Sequence, residues 1–324
     1  MIILGIADHV NSGAAIIADG VVVAAVNEER LIRKKMVFGV PRQSIATVIR
    51  LAGIRPSQID HVGIATINGH LINDYIEFKG WFELQRGILK QLFFSTGSKL
   101  SRFRPYIPFL ESIYYRLRQP AFSHRRTMLA KILKDEFDVH CPVRFVDHHF
   151  AHACSTYFSS GFKEALVVTM DGGGDGVSSR IYDASDGTLT KLHEVSSFNS
   201  LGNYYAYITH LCGFQAGKHE GKVTGLAAHG KPRAQGLLNE LITFDGGTIV
   251  NKGNLFYESA LTGIAKLLPK DIDREDLSAS IQCHSEDLVR QYIGYWRQKT
   301  GRSNVALAGG LFANVKINQR VHAL

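Results

Sequence analysis

No two of the four cysteines form a CxxC pair. Cys141, Cys154, Cys212 and Cys283 stand far apart, which argues against a compact disulfide framework and fits buried thiols in a reducing compartment. No apolar run approaches the ~18 residues of a membrane-crossing helix. The opening MIILGIADHV is apolar, but it has no basic flank and no small-residue cleavage site, so it does not read as a secretory leader. Neither the P-loop pattern GxxxxGK followed by Ser or Thr nor the glycine fingerprint of a Rossmann unit occurs, so those two nucleotide folds lack support. Low-complexity tracts and evident internal repeats are missing too. The expectation is a soluble, cytoplasmic protein.

What is present is an ordinary globular composition, 45% hydrophobic and 20% charged over 324 residues, long enough for two lobes. The net charge of +8 is uneven. Residues 79–134 hold 12 of the 37 Lys and Arg against only Glu83 and Glu111, while the remaining 25 basic residues face 27 acidic ones. Residues 67–135 are aromatic and basic at helical spacing, and read as an inserted helical segment. With Trp81, Phe82, Phe93 and Phe94 it could contact nucleic acid, a membrane or another anionic surface. A helical cap with a solvated basic face is the preferred reading, so a nucleic-acid or membrane partner is not expected.

Around the insert the chain alternates regularly. Residues 2–7, 14–18 and 21–27 read as strands, with Asp19-Gly20 as a hairpin turn. Pro41 opens a helical pattern to about Ala52, and residues 61–66 read as a buried strand. This is the first half of a ribonuclease-H-like unit. Further strands are expected at 143–146, 165–170, 176–183, 188–194 and 305–307, with a helix over 148–158 and mainly helices from Leu201. The expected fold class is α/β. Its first lobe covers 1–200 and carries the insert; the start of a second lobe covers 201–324. A helix beginning near Asn314 has no Gly or Pro stop before Leu324, so the sequence reads as the leading part of a longer chain.

Four stretches can carry chemistry. In Asp147-His148-His149-Phe150-Ala151-His152, His148 and His152 are four apart and share one helix face. That spacing suits two imidazoles on one transition metal; a pair of histidines packed at a strand-to-helix junction is the alternative. A buried strand then ends in Asp171-Gly172-Gly173-Gly174-Asp175-Gly176. The glycines let backbone N–H groups approach an anion, and the Asp can complete a metal site, although a plain hairpin turn has the same composition. Gly-bearing turns also follow the first strand (Asp8 to Gly13) and a late strand (Gly309, Gly310 and Asn314). Lys222, in Lys218-His219-Glu220-Gly221-Lys222, could meet phosphate, although a solvated loop is the simpler reading.

Together DHVNSGAAIIADGVVVAAVNEERLIRKK, DHHFAHA, VVTMDGGGDG, EGKVTGLAAHGKP and LAGGLFAN resemble the NodU/CmcH-type O-carbamoyltransferases. The motifs keep the family's order across nearly the whole sequence. The resemblance implies an actin-like ATPase domain, similar to the tRNA threonylcarbamoyl-transferase, followed by a YrdC-like domain. It implies that carbamoyl phosphate and ATP give a carbamoyl-adenylate, whose carbamoyl group passes to a hydroxyl of a small natural product or sugar. By position His148, His152 and Asp171 look like ligands of a divalent metal, with iron expected and zinc or manganese as alternatives. His9 looks like the residue assisting transfer. Gly172, Gly173, Gly309, Gly310 and Asn314 look like nucleotide contacts, and Lys34, with Lys222, like carbamoyl or phosphate contacts. The family's remaining acidic metal ligand and its YrdC-like domain would follow Leu324, so this portion alone is expected to turn over poorly. An actin-fold sugar kinase, or an inactive binding module using the basic insert, are the alternatives.

Overall fold

The computed structural model describes residues 1–82 and 110–324. Phe93 and Phe94, with the middle of the expected insert, lie outside them. The chain divides into two units: Met1–Phe78 with Ser112–Ala151, and His152–Leu324 with described residues 79–82 and 110–111.

In the first unit β1 (Ile2–Ala7), β2 (Gly13–Ala18) and β3 (Val21–Asn27) form an antiparallel meander. Beside β1, β4 (His61–Ala65) and then β5 (Val143–Val146) add in parallel, giving the order β3-β2-β1-β4-β5. Asp19 and Gly20 turn the first hairpin with φ of 48° and 82°, the left-handed geometry that follows strand twist. Alternation along β1 and β4 sends Leu4, Ile6, Val62 and Ile64 inward. They pack on Ile45, Val48 and Ile49 of α1 (Arg42–Leu51) and on Leu129 and Leu133 of α2 (Leu110–Phe137). Each such burial stabilises by roughly 1.5–3 kcal/mol. The N-terminus of α1 is capped from outside its own sequence. The buried Glu28 carboxylate accepts from Gln43 N (3.0 Å), Ser44 N (2.7 Å) and Ser44 Oγ (2.5 Å), satisfying orphan amides at the positive end of the helix dipole.

In the second unit β6 (Glu164–Gly174), β7 (Val177–Ser185) and β8 (Thr188–Ser196) form another antiparallel meander. Here β9 (Val305–Ala308) adds in parallel beside β6, in the order β8-β7-β6-β9. The arrangement β3-β2-β1-β4 is thus repeated, with no trace of repetition in the residues themselves. Residues 165–170 are all buried because β6 is covered on both faces. Leu166, Val168 and Met170 pack among Ile181, Tyr204, Ile208 and Tyr292, while Ala165 and Val167 meet Ala153 and Tyr157 of α3 (His148–Ser160). Burial on both faces gives a continuous apolar run instead of alternation.

Three expectations change. The division falls inside α3 rather than after residue 200, because β6 opens a new meander that pairs with β9. The described part of the insert keeps the expected solvated basic face of a helix, with Arg116, Lys131 and Lys134 exposed, but Arg125 is not on it and is buried with Phe122, Leu129 and Leu133. The stretch around Lys222 is a helix, following α4 (Leu201–Leu211) as α5 (Glu220–Leu226), rather than a loop. Beyond it lie α6 (Gln235–Leu241), α7 (Arg274–Thr300) and α8 (Val315–His322). A side-chain cap from Asp273 to Asp276 N starts α7, and Gly301 at φ 69° ends it. Among the described residues no helix is long and apolar enough to cross a membrane.

On α7, His284 is 2% exposed and its Nδ1 lies 2.6 Å from Asn239 Oδ1 of α6. Burial holds its pKa down, from 6.5 to about 4. With Nδ1 donating, the buried Nε2 has no hydrogen-bond partner among the described residues, so protonation adds an unpaired buried donor. The folded pKa lies below the unfolded one, so the unfolded chain binds the extra proton between them. Stability contributed here is full above pH ~6.5 and falls toward pH ~4, by up to about 3 kcal/mol. His284→Gln is expected to flatten the decline of urea-unfolding free energy between pH 7 and 4.5. An identical decline in the variant would contradict this.

Candidate active site

The first unit gathers its polar residues where β1, β4 and β5 end. Asp8 closes β1 and is 4% exposed; Arg125, reaching in from α2, is fully buried. The guanidinium grips the carboxylate in bidentate fashion, Nε to Oδ2 at 2.8 Å and Nη2 to Oδ1 at 2.5 Å. The guanidinium also reaches the carbonyls that end β4, with Nη1 3.0 Å from Thr66 O and Nη2, shared with Asp8, 3.4 Å from Ala65 O. Thr66 holds φ 78°, a costly conformation for a β-branched residue and one that marks functional sites. Its hydroxyl is 3.0 Å from Nδ1 of His148, the first residue of α3. Asp147 caps that helix by accepting from Phe150 N at 2.9 Å.

His9 stands beside this pair, Nε2 3.9 Å from Asp8 Oδ1, with its side chain 37% exposed. Gly69 closes over it. A β-carbon there would fall 2.9 Å from His9 Cε1 and 3.2 Å from Arg125 Cζ, so glycine is required for the imidazole to keep its place. The imidazole therefore has a fixed base and a solvent-facing side, as a proton acceptor needs.

The second unit carries His152 and Asp171. Asp171 lies where the pairing of β6 with β7 shifts register between Met170 and Gly174, a bulge of the kind that re-aims side chains beside functional sites. His152 Nε2 is 3.6 Å from Asp171 Oδ2. This is too long for a hydrogen bond, but close to the roughly 3–3.5 Å between two donors that each sit ~2.0–2.2 Å from one ion. Imidazole and carboxylate donors of this type suit a borderline divalent metal.

The bulge is held by close backbone contact. Ser200 Oγ donates to Asp171 O and accepts from Asn203 N, both at 3.0 Å, tying the start of α4 to the bulge. A β-carbon on Gly202 would fall 2.6 Å from Asp171 O. Gly173, at φ 147°, leaves room for Ser197 Oγ, which would lie 2.6 Å from a β-carbon. Gly309, at φ 102°, lies against Met170, whose carbonyl oxygen would lie 2.3 Å from one. Gly310 differs, for a β-carbon on it meets nothing.

Asn314 accepts at Oδ1 from Lys316 N (3.1 Å) and Ile317 N (3.3 Å), capping α8. Its Nδ2 donates to Gln282 Oε1 at 2.8 Å and Thr224 Oγ1 at 3.2 Å. Both ends of the amide are thus committed to shaping the turn. Lys34 is exposed, its ammonium 5.1 Å from the Tyr75 ring centre, and Lys222 is exposed on α5, 5.6 Å from that of Phe214. Phe82, considered above for an anionic surface, instead packs against Tyr207, His210 and Tyr257.

Two meanders, each extended by a parallel strand beside its first member, with polar residues at the strand ends, define a protein of the actin-like ATPase fold. A solved structure of that kind, (R)-2-hydroxyglutaryl-CoA dehydratase component A of Acidaminococcus fermentans, is similar over the whole chain and 88% of its own, with a TM-score of 0.50 and 13% identity. The family described as Carbamoyltransferase N-terminus matches residues 2–323, and the chain belongs to it. An uncharacterised protein of Synechocystis sp. is 30% identical over 98% of this chain and 52% of its own length. Nodulation protein NolNO of Sinorhizobium fredii is 29% identical over 96% of this chain and 42% of its own. The chain thus spans about half the length of these relatives.

The two late glycines separate cleanly by experiment. Gly309→Ala combines a positive φ with a backbone clash and is expected to cost at least 2 kcal/mol in chemical unfolding. Gly310→Ala should remain within about 0.5 kcal/mol of the parent. Equal effects at the two positions would contradict the packing described.

Proposed function

We propose that the protein transfers a carbamoyl group, derived from carbamoyl phosphate and activated with ATP as a carbamoyl-adenylate, to a hydroxyl of a small natural product or sugar. The observation that carries this reading is the 3.6 Å approach of His152 Nε2 to Asp171 Oδ2 at the bulge of β6, in a chain of the carbamoyltransferase family. His148 and His152 lie one turn apart on α3. With Asp171 they would hold a divalent metal, the two-imidazole, one-carboxylate set suiting iron, with zinc or manganese as other candidates. When bound, such an ion supplies positive charge that clamps phosphate oxygens and stabilises charge building on the leaving group.

The remaining steps belong to the chain's own groups. Backbone N–H groups around Gly172 and Gly310 orient the nucleotide. Gly173 and Gly309 act indirectly, by letting those turns lie flat on their neighbours. Asn314 holds the later turn. Lys34 and Lys222 bring exposed positive charge to the phosphate or carbamoyl end. His9 takes the proton from the attacking hydroxyl, its imidazole fixed between Asp8 and Gly69 with one side open to solvent. A YrdC-like domain in the full-length protein would complete the nucleotide chemistry.

The test uses full-length protein and preformed carbamoyl-adenylate, with product formation followed by mass spectrometry. His9→Asn is expected to slow transfer about 10²–10⁴-fold while leaving bound metal unchanged. Transfer at the parental rate would overturn the role of His9. A kinase reading would instead require phosphorylated acceptor when ATP replaces the carbamoyl-adenylate.

A further inference from the structure

The hydroxyl of Thr66 and Nδ1 of His148 are 3.0 Å apart, and either could supply the proton. The direction matters. If Thr66 donates, His148 carries its proton on Nε2 and has no lone pair there for an ion. If His148 donates from Nδ1, Nε2 is left as a donor atom. We propose that Thr66, locked in place by Arg125 and Asp8, is a positioning residue that sets the ring orientation and the Nδ1–H tautomer of His148. This inference rests on the reading of His148 as a metal ligand.

Thr66 is over-determined for such a task. Its N–H donates to Val146 O at 2.7 Å, which ties it to the strand leading into α3. Its carbonyl accepts from Arg125 Nη1 at 3.0 Å. The guanidinium is in turn fixed by its two bonds to Asp8, and a planar fork in a bidentate pair has little freedom to rotate. These contacts hold Thr66 at φ 78°, where a β-branched residue is disfavoured and where the hydroxyl meets the imidazole. Arg125 is fully buried, so it acts through Thr66 and Asp8 rather than on a substrate. Metal-bound imidazoles ordinarily donate their other N–H to an oxygen that fixes the ring, and loss of that oxygen weakens metal binding about 10–100-fold.

The experiment measures cobalt(II) affinity of the full-length protein by chelator competition, with melting temperature alongside. His148→Ala should bind cobalt far more weakly. Thr66→Val, which keeps the shape and removes the hydroxyl, should lower affinity about 10–100-fold, and Thr66→Ser should recover most of it. Thr66→Gly should melt no earlier than the parent, since glycine tolerates this φ, yet lose affinity as Thr66→Val does. A purely structural role predicts the opposite pattern. In the metal-free protein, ¹⁵N spectra should show the His148 proton on Nδ1, and Thr66→Val should shift that proton toward Nε2. Parental cobalt affinity in Thr66→Val, with His148→Ala impaired, would overturn the positioning role while leaving His148 a ligand. Parental affinity in His148→Ala would remove the ligand reading and this inference with it.

Discussion

A single buried guanidinium organises the first unit. Arg125 has no solvent contact, and its bonds reach the end of β1 through Asp8 and the end of β4 through Ala65 and Thr66. A charge in such a place is tolerated because it is paired in bidentate geometry and two further N–H groups find carbonyls. Removing either partner strands the other, at a cost of roughly 3–5 kcal/mol. The residues that can do chemistry are attached to this framework. His9 follows Asp8 in the chain, and His148 meets the hydroxyl of Thr66. The helix that brings Arg125 is therefore part of the fold's polar centre, whatever its basic outer face does.

The second unit solves a similar problem with backbone instead of charge. A carboxylate at the end of a buried strand must leave the ladder to be useful, and the register shift after Met170 provides that exit. The space around it is closed by main chain lying on main chain, possible only because Gly202 and Gly309 have no side chain. The helix start at Ser200 is fastened directly to the carbonyl of Asp171. The result is a carboxylate beside His152 at a separation suited to sharing an ion.

Much of this was legible from residue order. The Asp19-Gly20 hairpin, the apolar run of β6 and the helical spacing of His148 and His152 are local signals, and each element lies where those signals put it. What escaped is long-range. Arg125 pairs with a carboxylate 117 positions away, and composition alone made it one more charge on a basic face. Glu28 read as part of a motif, yet it caps a helix that begins only at Arg42. Gly309 read as a nucleotide contact, and its tight approach to Met170 depends on β9 pairing with β6. The division of the chain was misplaced for the same reason, since strand pairing decides it and the residues near 200 do not. Asn314 read as a nucleotide contact, and its amide is spent on α8 and on Gln282 and Thr224.

His148 and His152 of α3 are proposed to bind, with Asp171, a single metal ion, and the functional reading rests on that proposal. X-ray absorption spectroscopy at the metal edge of the iron-loaded full-length protein tests it most directly. The account predicts imidazole scattering from two histidines at about 2.0–2.1 Å, reduced to one in His152→Ala. A first shell of oxygen alone, unchanged in that variant, would contradict it.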